Sequence, residues 1–289
     1  MPGRPGAAAN PRDAGTERVR FVPDGDGRRG WTLLVVGVQS SHVDLDDPTR
    51  LDFEYMRWIG DLLDVAWAAG EPITAVHLGG AGCTLPAYLA VTRPASRQVV
   101  FEVDAEVLEA ARVGFGRRST RRLRLRHADG REGLNSLEAG VNGVEPGVDV
   151  VVRDAFAHDA VPSHLQTRQF LAEVARVLDH EGIYVANLAD EPPLALARAE
   201  AATALATFAH VALAAEPAQF KGRRYGNLVL AASAVPLPET TWGRRLAGGA
   251  VRARLLTTQE VRAFAAGVRP VDDDGGQAPT PATPAAAPP

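Results

Sequence analysis

The feature that most constrains this chain is the alternation that runs from Ile73 to Leu188. Residues 73–78, 98–103, 123–127, 148–152 and 182–188 are short runs dense in aliphatic side chains, separated by stretches of helical period. Successive parallel strands need a crossover of a dozen or more residues, usually a helix, so this pattern predicts a parallel sheet with helices on both faces. The run 148–152 is almost wholly β-branched, as a strand buried on both faces should be. Phe170, Leu171, Val174, Val177 and Leu178 mark one amphipathic helix, and residues 194–208 mark another. Two further strands, 211–215 and 227–232, follow with a loop between them and predict an antiparallel edge. The expected fold is α/β: a doubly wound, mostly parallel, seven-stranded sheet.

Upstream, residues 18–23 and 31–38 flank a Gly-Asp-Gly turn and predict a β-hairpin. The polar, acidic stretch 39–50 reads as a loop. From Asp52 the period changes, and Tyr55, Ile59, Leu62, Leu63 and Ala66 fall on one helical stripe. Asp104 stands where a helix N-cap is expected. Both ends are rich in small residues and proline, too poor in apolar area to offset ordering entropy. The expected organisation is a disordered tail over 1–16, the hairpin and loop over 17–50, the main α/β domain over 51–270, and a disordered tail over 271–289.

Bulk composition removes several classes. The net charge of −4, from 31 basic and 35 acidic residues, leaves no global footprint of a nucleic-acid binder. The single cysteine, Cys83, offers neither an internal disulfide nor a zinc pattern. No run of about 18 apolar residues is present. With no apolar signal-peptide core near Met1, the expectation is a cytoplasmic protein without membrane or nucleic-acid partners and without a metal.

Doubly wound sheets bind ligands beyond the carboxyl ends of their strands. Gly79-Gly80-Ala81-Gly82 follows the first strand of the alternation, where glycines let a ligand approach the backbone at a helix N-terminus. Leu85 stands where a dinucleotide fingerprint needs its third glycine. Glu102 ends the second strand, about 20 residues on, where an acid can accept both ribose hydroxyls of a nucleoside. Asp129-Gly130 follows the third strand and is either a plain turn or a carboxylate for an exocyclic adenine amine. Asp154 follows the fourth strand, at the centre of the carboxyl edge, where it can serve as a general base or hold a cation. Residues 117–126 are rich in arginine but carry no interleaved aromatics, and read as a solvated face. Cys83 reads as small helix filler and His158 as an exposed loop histidine.

In order and spacing these residues resemble the polyamine aminopropyltransferase family, to which spermidine synthase belongs, within the class I S-adenosylmethionine-dependent methyltransferase fold. The likeness runs from about Trp31 to Ser233. It matches Gln39 to a family glutamine after the hairpin, Tyr55 to a helix tyrosine, and 79–82 to the glycine loop. It also matches Glu102-Val103-Asp104 to a Glu-Ile-Asp run, Asp129-Gly130 to an Asp-Gly pair, Asp154 to the catalytic aspartate, and Pro162 to a following proline. Residues 225–233 resemble the family's edge hairpin.

The resemblance implies a decarboxylated S-adenosylmethionine or S-adenosylmethionine donor held by Gln39, Gly79, Gly80, Gly82, Glu102, Asp129, Gly130 and Pro162. It implies a small-molecule amine or other acceptor near Tyr55 and Asp159, with Asp154 as base, and a place in polyamine biosynthesis. A homodimer is compatible with it. The chain departs from the pattern at Ala81 and Ala157, where the family carries acids, and at Met56-Arg57, where it carries His-Glu. A methyltransferase and a catalytically silent nucleoside-binding homologue therefore stand beside aminopropyl transfer as alternatives.

Overall fold

The computed structural model describes residues 11–137, 147–157 and 160–273. Its core is an eight-stranded sheet. Five parallel strands, β4 (Thr74–Leu78), β5 (Arg97–Glu102), β6 (Leu123–His127), β7 (Val148–Arg153) and β8 (Leu178–Asp190), lie side by side. Beyond β8 the sheet turns antiparallel through β10 (Gly226–Ser233), β9 (His210–Ala215) and β11 (Arg254–Leu256). The order across the sheet is β11-β9-β10-β8-β7-β4-β5-β6, which leaves β6 and β11 as its edges.

The doubly wound α/β reading holds, with one strand more than the seven expected. The eighth strand, β11, is three residues long, too short to leave an alternation in the sequence. Residues 39–50 also differ from expectation. Instead of a loop they begin with most of β3 (Val38–Asp44), which joins β1 (Val19–Pro23) and β2 (Gly30–Val35) in a three-stranded antiparallel sheet. Ser41, His42 and Asp44 are buried in β3, so a strand of this kind shows no hydrophobic period.

Helices cover both faces. On one, α1 (Glu54–Ala66), α2 (Thr84–Thr92) and α8 (Glu239–Gly248) pack Tyr55, Trp58, Leu62, Leu89, Trp242 and Leu246 against the sheet. On the other, α4 (Gly130–Ser136), α5 (Arg168–Val177), α6 (Ala195–Leu205) and α9 (Thr258–Phe264) enclose a core that includes Phe170, Tyr184 and Phe208. The small sheet rests on α3 (Ala105–Gly114) through Val19, Phe21, Val107 and Phe115. Asp104 caps α3 as the sequence suggested, accepting from the amides of Glu106 and Val107. A one-turn helix, α7 (Pro217–Phe220), lies between β9 and β10. No helix among the described residues is long and apolar enough to cross a membrane.

Both presumed tails dock at their inner ends. Pro11–Ala14 forms a 3-10 turn, Arg12 lies 5.9 Å from the Trp31 ring centroid, and the Thr16 hydroxyl donates to Glu106. At the other end Val271 bonds Arg168 and Thr203 through its backbone, Asp272 pairs with Arg168 at 2.7 Å, and Asp273 with Arg131 at 2.9 Å. Composition averaged over a tail hides a few residues with partners. Residues 1–10 and 274–289 lie outside the described residues. A chain cut after Pro270 should melt several degrees below one cut after Asp273, since it loses three hydrogen bonds made by the backbone of 271–273 and two partly exposed ion pairs. Thermal denaturation of the two truncations measures the difference.

Candidate active site

The site begins with a contact between backbones. Gly79, at φ +85°, follows β4, and a Cβ there would stand 2.2 Å from the carbonyl oxygen of Asp154. Only glycine allows that approach. The Asp154 amide donates to the Leu78 carbonyl at 2.9 Å, so the ends of β4 and β7 are tied together. The other glycines are equally confined. A Cβ on Gly80 would meet Val100 at 2.4 Å, and one on Gly82 would meet Val43 at 2.8 Å and Ser41 at 2.9 Å. Ser41 accepts from the Gly82 amide at 3.0 Å, and the Thr84 hydroxyl donates to the His42 carbonyl at 2.7 Å. Strand β3 therefore clasps the glycine loop. Gln39 is exposed at the start of β3, two residues before that clasp. Leu85 is a buried apolar residue of α2. Cys83 is buried too, and burial pushes its thiol up to about 12, which leaves it protonated and a poor nucleophile.

Glu102 ends β5 beneath this loop and is 9% exposed. One carboxylate oxygen accepts from the amides of Gly80 at 3.0 Å and Ala81 at 3.1 Å, and the other from the Asp104 amide at 3.0 Å. Three backbone donors fix the carboxylate and the loop together. The side chain stands at the strand end where a ribose acceptor was expected, with its second oxygen taking one bond of two.

Asp129 is the N-cap of α4 rather than part of a plain turn, accepting from the amides of Arg131 at 2.8 Å and Glu132 at 3.2 Å. Its other oxygen meets His164 at 2.9 Å. Burial pushes this carboxyl up, but His164 and the cap amides outweigh it and hold the group below the usual carboxylate range. Gly130 is buried and opens α4, and Pro162 precedes the short turn Ser163–Leu165.

The acid at the centre of the edge has partners. The Tyr55 hydroxyl donates to one oxygen of Asp154 at 3.2 Å, and the Asn187 amide donates to the other at 2.9 Å. Burial is the largest influence on Asp154 and raises its pKa, while the bonds from Asn187 and Tyr55 act against it. Burial, and then the neighbouring carboxylate, raises the Tyr55 phenol well above its usual value. Asn187 was not expected. It is a lone polar residue in the apolar run of β8, 2% exposed, and that isolation at a strand's carboxyl end was its only signal. Ala157 is exposed and bridges to Ala160. Asp159 and His158 lie outside the described residues. Met56 is buried and Arg57 half-buried, and Met56 joins Phe53, Ser41, His42, Asp52 and Thr84 around a shallow depression between α1 and β3.

Residues 117–126 run from the end of α3 into the outer strand β6. Arg118, Arg121 and Arg122 there are exposed, and burial lowers the pKa of Arg117.

The arrangement brings a glycine loop, the acids Glu102 and Asp129 and a donor-bonded carboxylate to one edge. No protein-family model matches the chain. A probable spermidine synthase from Corynebacterium glutamicum is 34% identical and superposes with a TM-score of 0.80, over 89% of this chain and 94% of that one. Human methyltransferase-like protein 13, solved in complex with SAH, is 23% identical with a TM-score of 0.54, over 76% of this chain and 95% of that one. The polyamine aminopropyltransferase of Vibrio vulnificus is 32% identical over 117 residues, 40% of this chain and 37% of that protein's length.

The raised pKa of Asp154 has a consequence for stability. A folded-state value above the unfolded one favours the protonated acid, so stability falls as pH rises from the unfolded pKa through the folded one. At neutral pH the fold therefore bears the cost of the ionised group, and below about pH 4 that cost is gone. Asp154→Asn should melt higher than the unaltered protein at pH 7, with the gap closing toward pH 3–4. Melting curves across that range measure it.

Proposed function

The chain belongs to the spermidine synthase-like family, and on that premise we propose that it transfers an aminopropyl group from decarboxylated S-adenosylmethionine to an amine, with Asp154 as the base. The observation that carries this reading is the Asp154 carboxylate, held by Tyr55 and Asn187 beside the start of the glycine loop. The loop, Glu102 and the Asp129–Gly130 start of α4 would hold the adenosine half of the donor. Gln39 and Pro162 would border it. Tyr55 would face the acceptor, with Asp159 as a further acid.

The reaction is a direct displacement. The acceptor nitrogen attacks the carbon next to the donor's sulfonium, a carbon–nitrogen bond forms, the carbon–sulfur bond breaks, and methylthioadenosine leaves. The nitrogen must attack unprotonated, so Asp154 takes its proton. A carboxylate with a raised pKa is better matched to that transfer near neutral pH than an ordinary one. The two donors on Asp154 fix its direction, and positioning supplies much of the remaining rate. A polycation needs several acids around it, and Ala81, Ala157 and Arg57 supply none. That favours an acceptor with less positive charge than a free diamine.

Methyl transfer from S-adenosylmethionine is the second reading. What favours it is Ala81, which leaves the donor's amine tail without a carboxylate on the glycine loop. The neighbour solved with SAH shares the fold.

Calorimetric titration with methylthioadenosine, S-adenosylmethionine and its decarboxylated form separates these readings. Preference for the decarboxylated donor supports aminopropyl transfer, preference for S-adenosylmethionine supports methyl transfer, and binding of none favours a silent homologue. Asp154→Asn should keep methylthioadenosine binding and lower transfer by about 10²–10⁴-fold. Turnover near the unaltered rate would remove Asp154 as the base. Glu102→Gln should weaken methylthioadenosine binding by about 1–3 kcal/mol, since the amide is neutral and its NH₂ end opposes a backbone donor. Unchanged affinity in the folded variant would place the nucleoside elsewhere.

A further inference from the structure

The residue before Asp154 carries an unexplained charge. Arg153 is fully buried at the end of β7, on the opposite face of the strand from the acid that follows it. One terminal nitrogen donates to Glu200 on α6 at 2.9 Å, and Glu200 is itself 4% exposed. The other donates to the carbonyl of Leu165 at 2.8 Å. Among the described residues, the arginine Nε and the neighbouring Tyr184 hydroxyl are buried without partners. A buried ion pair of this kind is poor evidence for stability, because well-packed apolar residues often replace one at no loss. What the pair achieves here is the grip on Leu165.

Leu165 closes the turn Ser163–Leu165, and its side chain lies against Gly130 at the start of α4. The Gln166 side chain donates to the Val161 carbonyl at 2.6 Å, so residues 161–166 hold together as a unit. That unit carries Pro162 and presents His164 to Asp129 at 2.9 Å. Arginine suits the task because its planar fork can serve a carboxylate and a carbonyl at once, whereas a lysine is a single point of charge.

We propose that Arg153 is a positioning residue: braced by Glu200, it holds the Leu165 carbonyl and so fixes segment 161–166 against the nucleoside side of the site. The nucleoside part rests on the donor site proposed above. The tether itself does not.

The test replaces the pair without leaving a bare charge, as Arg153→Met with Glu200→Leu. This double variant should melt within a few degrees of the unaltered protein. Its amides over 161–166 should exchange hydrogen at least tenfold faster while the sheet strands stay unchanged, and the His164 ring resonances should move. Methylthioadenosine should bind at least tenfold more weakly. Unchanged exchange over 161–166 would overturn the proposal. If the double variant fails to fold, Arg153→Lys keeps a cation for Glu200 without the fork and should loosen the same residues, and unaltered protection there would again overturn it. If neither folds, arginine side-chain NMR of the unaltered protein decides. Slowly exchanging Arg153 guanidinium protons support the tether, and fast exchange overturns it. Should the unaltered protein bind no methylthioadenosine, the donor reading fails while the exchange measurements still decide the tether.

Discussion

Everything at the carboxyl edge depends on how closely β4 and β7 meet. The missing side chain at Gly79 lets the backbone of Asp154 come against the glycine loop, and the Asp154 amide bond to Leu78 locks the approach. A larger residue would push the two strand ends apart and carry the carboxylate away from Tyr55 and Asn187. The acid is thus placed by main chain first and by side-chain bonds second. That order favours precision, because a sheet's backbone is stiffer than any loop.

Around that contact, charges are used structurally. Glu102 binds three amides, Asp129 caps a helix, and Arg153 and Glu200 neutralise each other inside the core. Glu102 was read from the sequence as a group facing a ligand, and Asp129 as either that or a plain turn. The structure gives each a partner within the protein. The two uses are compatible, since a carboxylate oxygen has two lone pairs and Glu102 and Asp129 each keep one oxygen that takes a single bond. A ligand at this edge would meet groups already oriented, which lowers the cost of ordering them.

The main architecture was legible because buried parallel strands and amphipathic helices leave strong periods. Residues 123–127 were read at their observed bounds, and the helical stripe from Phe170 to Leu178 nearly so, with Leu178 instead the first residue of β8. Strand β3 was not, because Ser41, His42 and Asp44 are buried polar residues whose partners lie on other elements. Helix α8 was missed although Trp242 is fully buried, since only Trp242 and Leu246 of it are buried. At the candidate site, Asp154, Tyr55 and the glycines were singled out by order and spacing, and the structure brings them to one edge. Asn187 and Arg153 were passed over because their meaning is purely spatial. Each reaches a partner at least 12 residues distant in sequence, which no local pattern reports.

The outermost parallel strand has a consequence for colloidal behaviour. An open sheet edge is a template on which another chain can add a strand and begin to aggregate. On β6 the sequence Leu123-Arg124-Leu125-Arg126 puts a cation at every second position, with Arg121 and Arg122 just ahead of it. Two such edges brought together would face each other with like charge, at low dielectric and with little room for counterions. The opposite edge, β11, is three residues long and offers too few ladder bonds to nucleate growth. The chain just ahead of β6 closes part of this edge as well: the Leu123 and Leu125 amides donate to the Thr120 and Ser119 hydroxyls at 3.0 Å, and the Thr120 amide donates to the Leu123 carbonyl at 2.7 Å. Covered ladder groups and like charge thus act together against edge-to-edge polymerisation, and only the charge part should weaken as rising salt shortens its reach.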